Sequence, residues 1–207
     1  MDERAHPRRP AMLDPQEADS IEGDSDPALT SEVAHATARI TVFGAGDDPD
    51  DVATAQRLAA LVEDEGLDAV AELWSRSPAN TLPGALWRVY LLREWIRRDP
   101  ETVAERYRAG LGQVPATDAD APPPAPADVE AAADGLFSGA LAGEFDGFLD
   151  RTADLLRILA AGAEAEPVWL THDDGLAGHV TRRPGALLAT AEELEHAAGL
   201  ARAGQLD

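Results

Sequence analysis

The chain contains no cysteine and no lysine, only one asparagine (Asn80), and few aromatic residues. Without cysteine there can be no disulfide, no thiolate metal site and no cysteine nucleophile. No apolar run approaches the roughly 18 uninterrupted residues of a membrane span. Met1-Asp2-Glu3-Arg4 leads into no apolar segment of the kind a signal peptide requires. The expected location is therefore the cytoplasm. Aromatics at 5% leave a core to be built from Ala, Leu and Val, a composition that suits close helix packing better than a sheet.

Nucleotide and hydrolase fingerprints are missing too. Gly44-Ala45-Gly46-Asp47 lacks the second half of either nucleotide-binding motif, and no Gly-x-Ser-x-Gly elbow occurs. No cofactor is implied.

What the sequence has in excess is negative charge. Thirty-nine acidic residues face 17 basic ones, for a formal net charge of −22. Such a polyanion repels phosphate backbones and anionic lipid, so direct DNA, RNA or membrane binding is not expected, and a basic partner or basic substrate is favoured. All 17 basic residues are arginine. With scarce asparagine and abundant alanine, that pattern is what translation from a GC-rich genome produces, and it accounts for much of the acidity.

The periodic segments are helical. Residues 1–30 are polar and aperiodic and read as a disordered acidic tail. Ser31 is placed to cap a helix through Ile40, with Val33, Ala36 and Ile40 on one stripe. Asp47 to Asp51, interrupted by Pro49, read as a helix entry, since aspartates accept from free backbone N–H groups and suit the positive end of the helix dipole. Val52, Ala55, Leu58, Ala59 and Val62 follow at helical spacing and stop at Gly66, a left-handed C′ position. Leu67, Val70, Leu73 and Trp74 then complete a helical hairpin.

A strongly apolar helix is predicted over 83–98. Asp99-Pro100-Glu101 closes it and opens the next helix, which carries Val103, Ala104, Tyr107 and Leu111. Residues 112–127 form a Pro/Ala/Asp-rich linker. Beyond it, Val129 through Leu141 and Phe145 through Leu159 keep a helical period on either side of Gly143. Pro167 to Thr171 is an extended candidate, and a last helix covers about 185–203. The expected architecture is all-α, a bundle or short array of αα-hairpins. An N-terminal lobe at 31–111 and a C-terminal lobe at 128–207 would flank the linker.

Residues 83–98 carry the site expectations. At ~100° per residue, Leu82, Leu86, Val89, Leu92 and Ile96 share one face, and Trp87, Leu91 and Trp95 form a second stripe nearly opposite. A helix apolar on two sides belongs at the centre of its bundle. Arg93 falls within the first arc, and Arg97 lies one turn on. A charge there must be paired or line a cleft. One reading is an anion site made by Arg93, Arg97 and Tyr90, with guanidinium forks as donors. The other is a structural ion pair, whose loss would cost roughly 3–5 kcal/mol. The stripe of Trp87, Leu91 and Trp95 is the candidate partner surface. Residues 82–110 hold six arginines and four acids, a locally basic strip in an acidic chain.

Histidine patterns lead to no metal site. Glu32/His35 and Glu193/His196 have the Glu-x-x-His spacing of di-iron bundles, but those bundles need bridging glutamates from two further helices. His172-Asp173-Asp174 with His179 lacks the additional ligands a phosphohydrolase metal site needs, and reads as a capping turn.

The segment Thr81-Leu82-Pro83-Gly84-Ala85-Leu86-Trp87-Arg88-Val89-Tyr90-Leu91-Leu92-Arg93-Glu94-Trp95, continuing to Tyr107-Arg108-Ala109-Gly110, resembles small acidic helical proteins of high-GC actinobacteria. The resemblance covers Gly44 through Gly110. It implies a source and a helical fold and transfers no functional residue. Three functions stay open: a cytoplasmic, non-enzymatic interaction or regulatory protein; a ligand-binding domain or enzyme with an anion site; and an acidic decoy for a nucleic-acid-binding surface.

Overall fold

The computed structural model describes residues 27–114, 122–141, 144–164 and 183–207. Among these it is all-α, with no strand and eight helices. They are α1 (Pro27–Phe43), α2 (Pro49–Glu65), α3 (Leu67–Trp74), α4 (Leu82–Arg98), α5 (Pro100–Gly110), α6 (Pro126–Phe137), α7 (Phe145–Glu164) and α8 (Pro184–Arg202). Pro167–Thr171, the His172/Asp173/Asp174/His179 cluster and Gly143 lie outside the described residues.

Helix starts follow local chemistry. The Asp48 carboxylate accepts from the Asp50 backbone N–H at 2.9 Å, with Pro49 as the first helical residue and Asp50 and Asp51 in the first turn of α2. Asp99 does the same for α5, accepting from Thr102 N–H. Both are N-caps, as their sequence predicts. Thr81 caps α4 and also donates to the Pro78 carbonyl at 2.7 Å.

Two of the stops are glycine turns. After α6 and α8, Gly139 (φ 71°) and Gly204 (φ 64°) take left-handed conformations. Ala140 N–H donates to Gly135 O and Gln205 N–H to Leu200 O, the long bond of a Schellman turn in each case. Gly66 also has positive φ, but its ψ of 174° is extended rather than left-handed helical, so α3 leaves α2 through a sharp bend.

Several expected boundaries and phases move. Residues 27–30 belong to α1 rather than to a tail, and Pro126 and Ala127 belong to α6 rather than to a linker. Pro124, expected to pack on little, is buried. Helix α6 ends at Phe137, not Leu141, because the Gly139 turn intervenes. On α1 the inner face is Ala34, Thr37 and Ala38, while Val33 is 46% exposed. Helix α2 has no buried residue. It packs chiefly against α1 and α3, so its apolar arc is wider than its contact, and Val52, Ala59 and Val62 face outward. Leu111 is exposed as well, because α5 packs through its smallest residue instead.

One core joins the helices before and after residues 115–121. At its centre lies α4, with 11 of its 17 residues buried and with α1, α3, α5, α6 and α8 packed around it. All five residues of the predicted first face are buried, and so are Phe145, Phe148, Leu149, Thr152, Leu155, Leu156 and Leu159 on α7. Trp74 on α3 reaches across to α1, donating its indole N–H to Thr37 Oγ1 at 3.0 Å.

Helices α5 and α7 cross at two glycines. A Cβ on Gly110 would sit 1.9 Å from Ile158 O, and one on Gly162 would sit 1.9 Å from Arg106 O. The backbones are therefore in direct contact, closer than any side chain allows. Gly110→Ala and Gly162→Ala should each force the helices apart and destabilise the fold by roughly 1–3 kcal/mol or more. Gly147→Ala, on the same helix with nothing within 4 Å of the added atom, should be neutral or stabilising by up to about 1 kcal/mol. Urea denaturation of the three variants checks this order.

Candidate functional site

Tyr90, Arg93 and Arg97, chosen from one helix face, fall in one polar network across α3, α4 and α6. The Tyr90 hydroxyl donates to Asp68 Oδ1 at 2.7 Å. Arg98 lies 3.7 Å from the other Asp68 oxygen and 3.1 Å from Glu94. Arg93 Nη1 meets Glu94 Oε1 at 2.6 Å, and Arg93 Nε donates to Asp134 on α6. Arg97 reaches the same Asp134 oxygen at 3.7 Å. Three guanidinium groups thus face three carboxylates.

Arg93 is mostly buried, as its helix phase predicts, with 12% of its side chain exposed. Arg97 is not; it stands in solvent with 47% exposure. Arg97 is rotated about 40° from Arg93 and sits in the last turn of α4, where its stem leaves the core. Two Arg93 donors are already committed, so an incoming anion would have to displace the protein's own carboxylates. The charge count around them is neutral rather than positive. Of the two readings of Arg93, this geometry favours the structural ion pair.

Tyr90 is 6% exposed. Trp87 stacks on its ring at 5.5 Å, and the Phe137 ring meets it edge-on at 6.4 Å. Burial first, and the hydrogen bond to Asp68 second, push its phenol pKa well above the ordinary range. Tyr90 is therefore a hydrogen-bond donor and no general base at neutral pH.

The expected partner stripe is covered by the chain itself. Leu91 and Trp95 are 5% and 6% exposed and belong to the common core; Trp87 alone is partly open. Arg106 lies 5.4 Å over the Trp95 ring, a cation–π contact. The buried Trp95 Nε1 has no hydrogen-bond partner. The stripe is apolar because α4 is surrounded, not because a partner docks on it.

No family model, curated protein or solved structure matches this chain. Its chemistry has to be judged on its own geometry.

Among the described residues, no three His, Asp or Glu side chains converge so as to hold a metal ion. Glu193 is taken by Arg88 of α4 at 2.5 Å, and His35 Nδ1 lies 2.8 Å from Ser31 O within its own helix. Gly44-Ala45-Gly46-Asp47 forms the α1–α2 connection ahead of the Asp48 cap. Among the described residues, no helix is long and apolar enough to cross a membrane.

A feature with no signature in the local sequence lies at one end of the bundle. An open groove of about 670 Å³ is lined by Thr41, Val42 and Phe43 of α1, Gly139 and Leu141 after α6, Glu144, Phe145 and Asp146 at the start of α7, and Ala201, Gly204 and Leu206 around the end of α8. Its lining comes from four separate stretches, so no local pattern could have assembled it. Even the Gly139 stop was hidden, because the apolar period runs past it to Leu141.

The Arg93 pairs are expected to be worth less than a fully buried triad. Asp134 is 46% exposed, and water would take over its solvation if Arg93 were removed. Glu94, at 12%, would not be so relieved. Arg93→Ala should therefore cost about 1–3 kcal/mol, and Arg97→Ala less than about 0.5 kcal/mol; chemical denaturation separates them. Tyr90 supplies a pH test. Because its folded pKa is raised, its contribution is complete below the ordinary phenol pKa and is lost as pH rises past about 10. Tyrosinate absorbance should show Tyr90 ionising only as the protein unfolds, and Tyr90→Phe should remove that part of the alkaline destabilisation.

Proposed function

We propose that this is a non-enzymatic cytoplasmic interaction or regulatory protein that binds a partner protein through the outer faces of α1 and α2. The observation that carries this reading is where apolar surface is left over. Of the seven large hydrophobic side chains that are exposed among the described residues, five lie on these two helices: Leu29, Val33 and Phe43 on α1, Val52 and Val62 on α2. Four of them run along the helix sides, and Phe43 stands at the end of α1. Clustered exposed apolar residues mark interaction sites more often than scattered ones do.

The polar groups support the same reading by being occupied. Arg93, Arg98 and Tyr90 are engaged by Glu94, Asp134 and Asp68, so an anionic substrate would compete there with the protein's own carboxylates. An acidic decoy needs carboxylates ranked at phosphate-like spacing. Here Asp150, Glu193 and Glu195 are drawn into ion pairs with Arg202, Arg88 and Arg157. The Arg39–Asp51 pair ties α1 to α2, holding the two outer faces in a fixed relation.

Photo-crosslinkers placed at Val33, Val52 and Val62, in cells that naturally make the protein, should trap one recurrent species. Crosslinkers at Glu192 and Arg151, both exposed on α8 and α7, should not. Val52→Glu with Val62→Glu should abolish the trapping and change stability by no more than about 0.5 kcal/mol per site. Equal trapping at the control positions would overturn the reading.

A further inference from the structure

The groove at the end of the bundle has a consistent electrostatic character. The last turn of α1, the residues just past α6 and the end of α8 all line it, so three helix C-termini converge there. Each presents the partial negative end of its helix dipole, although the turns at Gly44, Gly139 and Gly204 already give several of the terminal carbonyls a backbone donor. The two ionisable lining residues, Glu144 and Asp146, are both acids. Asp146 has a distant counterion in Arg202 at 3.8 Å, while Arg202 is held more closely by Asp150. Among the described residues no cation pairs with Glu144. A single helix N-terminus, that of α7, opposes this field.

The walls are apolar. Val42, Phe43, Leu141, Phe145 and Leu206 contribute aliphatic and aromatic surface, and Phe43 is 66% exposed at the rim. Phenyl faces attract guanidinium and ammonium groups as well as hydrocarbon. A volume near 670 Å³ is in the range of ligand sites, and the cavity is partly open to solvent, so a side chain of a longer segment can enter it.

From this complementarity we infer that the groove is a binding site for a basic–apolar peptide segment of another protein. An arginine or lysine would lie among Glu144, Asp146 and the helix C-termini, and its apolar neighbours against Val42, Phe43, Leu141 and Leu206. The strongly negative chain as a whole steers such a segment toward the protein, and the groove gives it a place to dock. This site shares only Phe43 with the outer faces of α1 and α2 and does not require Leu29, Val33, Val52 or Val62.

The test is a chemical-shift titration of the full-length, isotope-labelled protein with three probes. These are the capped pentapeptide Leu-Arg-Phe-Arg-Leu, its counterpart with glutamine at both arginine positions, and butylguanidinium. The arginine peptide should bind saturably and move the amides of Val42, Phe43, Gly139, Leu141, Phe145 and Gly204. The glutamine peptide should bind about tenfold more weakly, and Glu144→Gln with Asp146→Asn should weaken the arginine peptide by about five- to tenfold. Phe43→Ser changes an exposed side chain, so it should weaken binding with an unchanged melting temperature. This variant keeps the test decisive if loss of the Asp146–Arg202 contact disturbs the fold. Equal binding of the two peptides would overturn the proposal. So would shifts scattered over the acidic surface without saturation. Butylguanidinium binding as tightly as the arginine peptide would also overturn it, by reassigning the groove to small cations.

Discussion

Helix α4 has to be enclosed. Its apolar residues occupy nearly its whole circumference, and no single neighbour can cover them. The chain meets this requirement by laying α1, α3, α5, α6 and α8 around it. Fully burying an aliphatic side chain is worth about 1.5–3 kcal/mol, so the 11 buried residues of α4 outweigh any local preference of the surrounding helices. The same enclosure sets the fate of its polar residues. Arg93 and Glu94 cannot reach bulk water freely, so they pair with each other, Arg93 also with Asp134 and Glu94 also with Arg98. Tyr90 turns its hydroxyl to Asp68.

Small residues make the enclosure tight. Ala34 and Ala38 on α1 let that helix approach the core. Gly110 and Gly162 bring α5 and α7 into backbone contact. Without a Cβ at the crossing, the helices gain dispersion contacts along both flanks that a larger residue would forfeit. This compensates for a core poor in aromatics. The aromatics it has are grouped: Trp87 stacks on Tyr90, Tyr90 meets Phe137 edge-on, and Phe137 lies 6.0 Å from Trp74. They tie α3, α4 and α6 into one wedge.

The surplus of acids shapes the surface. Arginines are few enough that those near the core are drawn into interhelical pairs: Arg88 with Glu193, Arg157 with Glu195, Arg202 with Asp150. Acids beyond that stoichiometry remain unneutralised. Where they coincide with helix C-termini and apolar walls, as in the end groove, the negative charge gains a direction. Where they coincide with nothing, they only keep copies of the protein apart.

The sequence by itself determined the helical class, because Ala/Leu-rich segments with a 3.6-residue period can satisfy their backbone hydrogen bonds and bury one face in no other regular way. It determined the caps at Asp48 and Asp99, where side chain and backbone interact within three residues, and the inner face of α7, whose apolar stripe has only one solution. It also determined that Arg93 is buried, since the residues around the full turn of α4 leave it nowhere else to point. Tertiary structure decided the rest. Whether an apolar stripe faces the core or solvent depends on what packs beside it, so Val52 and Val62 came out exposed and Leu91 and Trp95 buried, against their local pattern. Which acid answers Arg93 depends on Asp134, 41 residues away. The groove and the glycine crossing need segments distant in sequence to meet, and no local period encodes that.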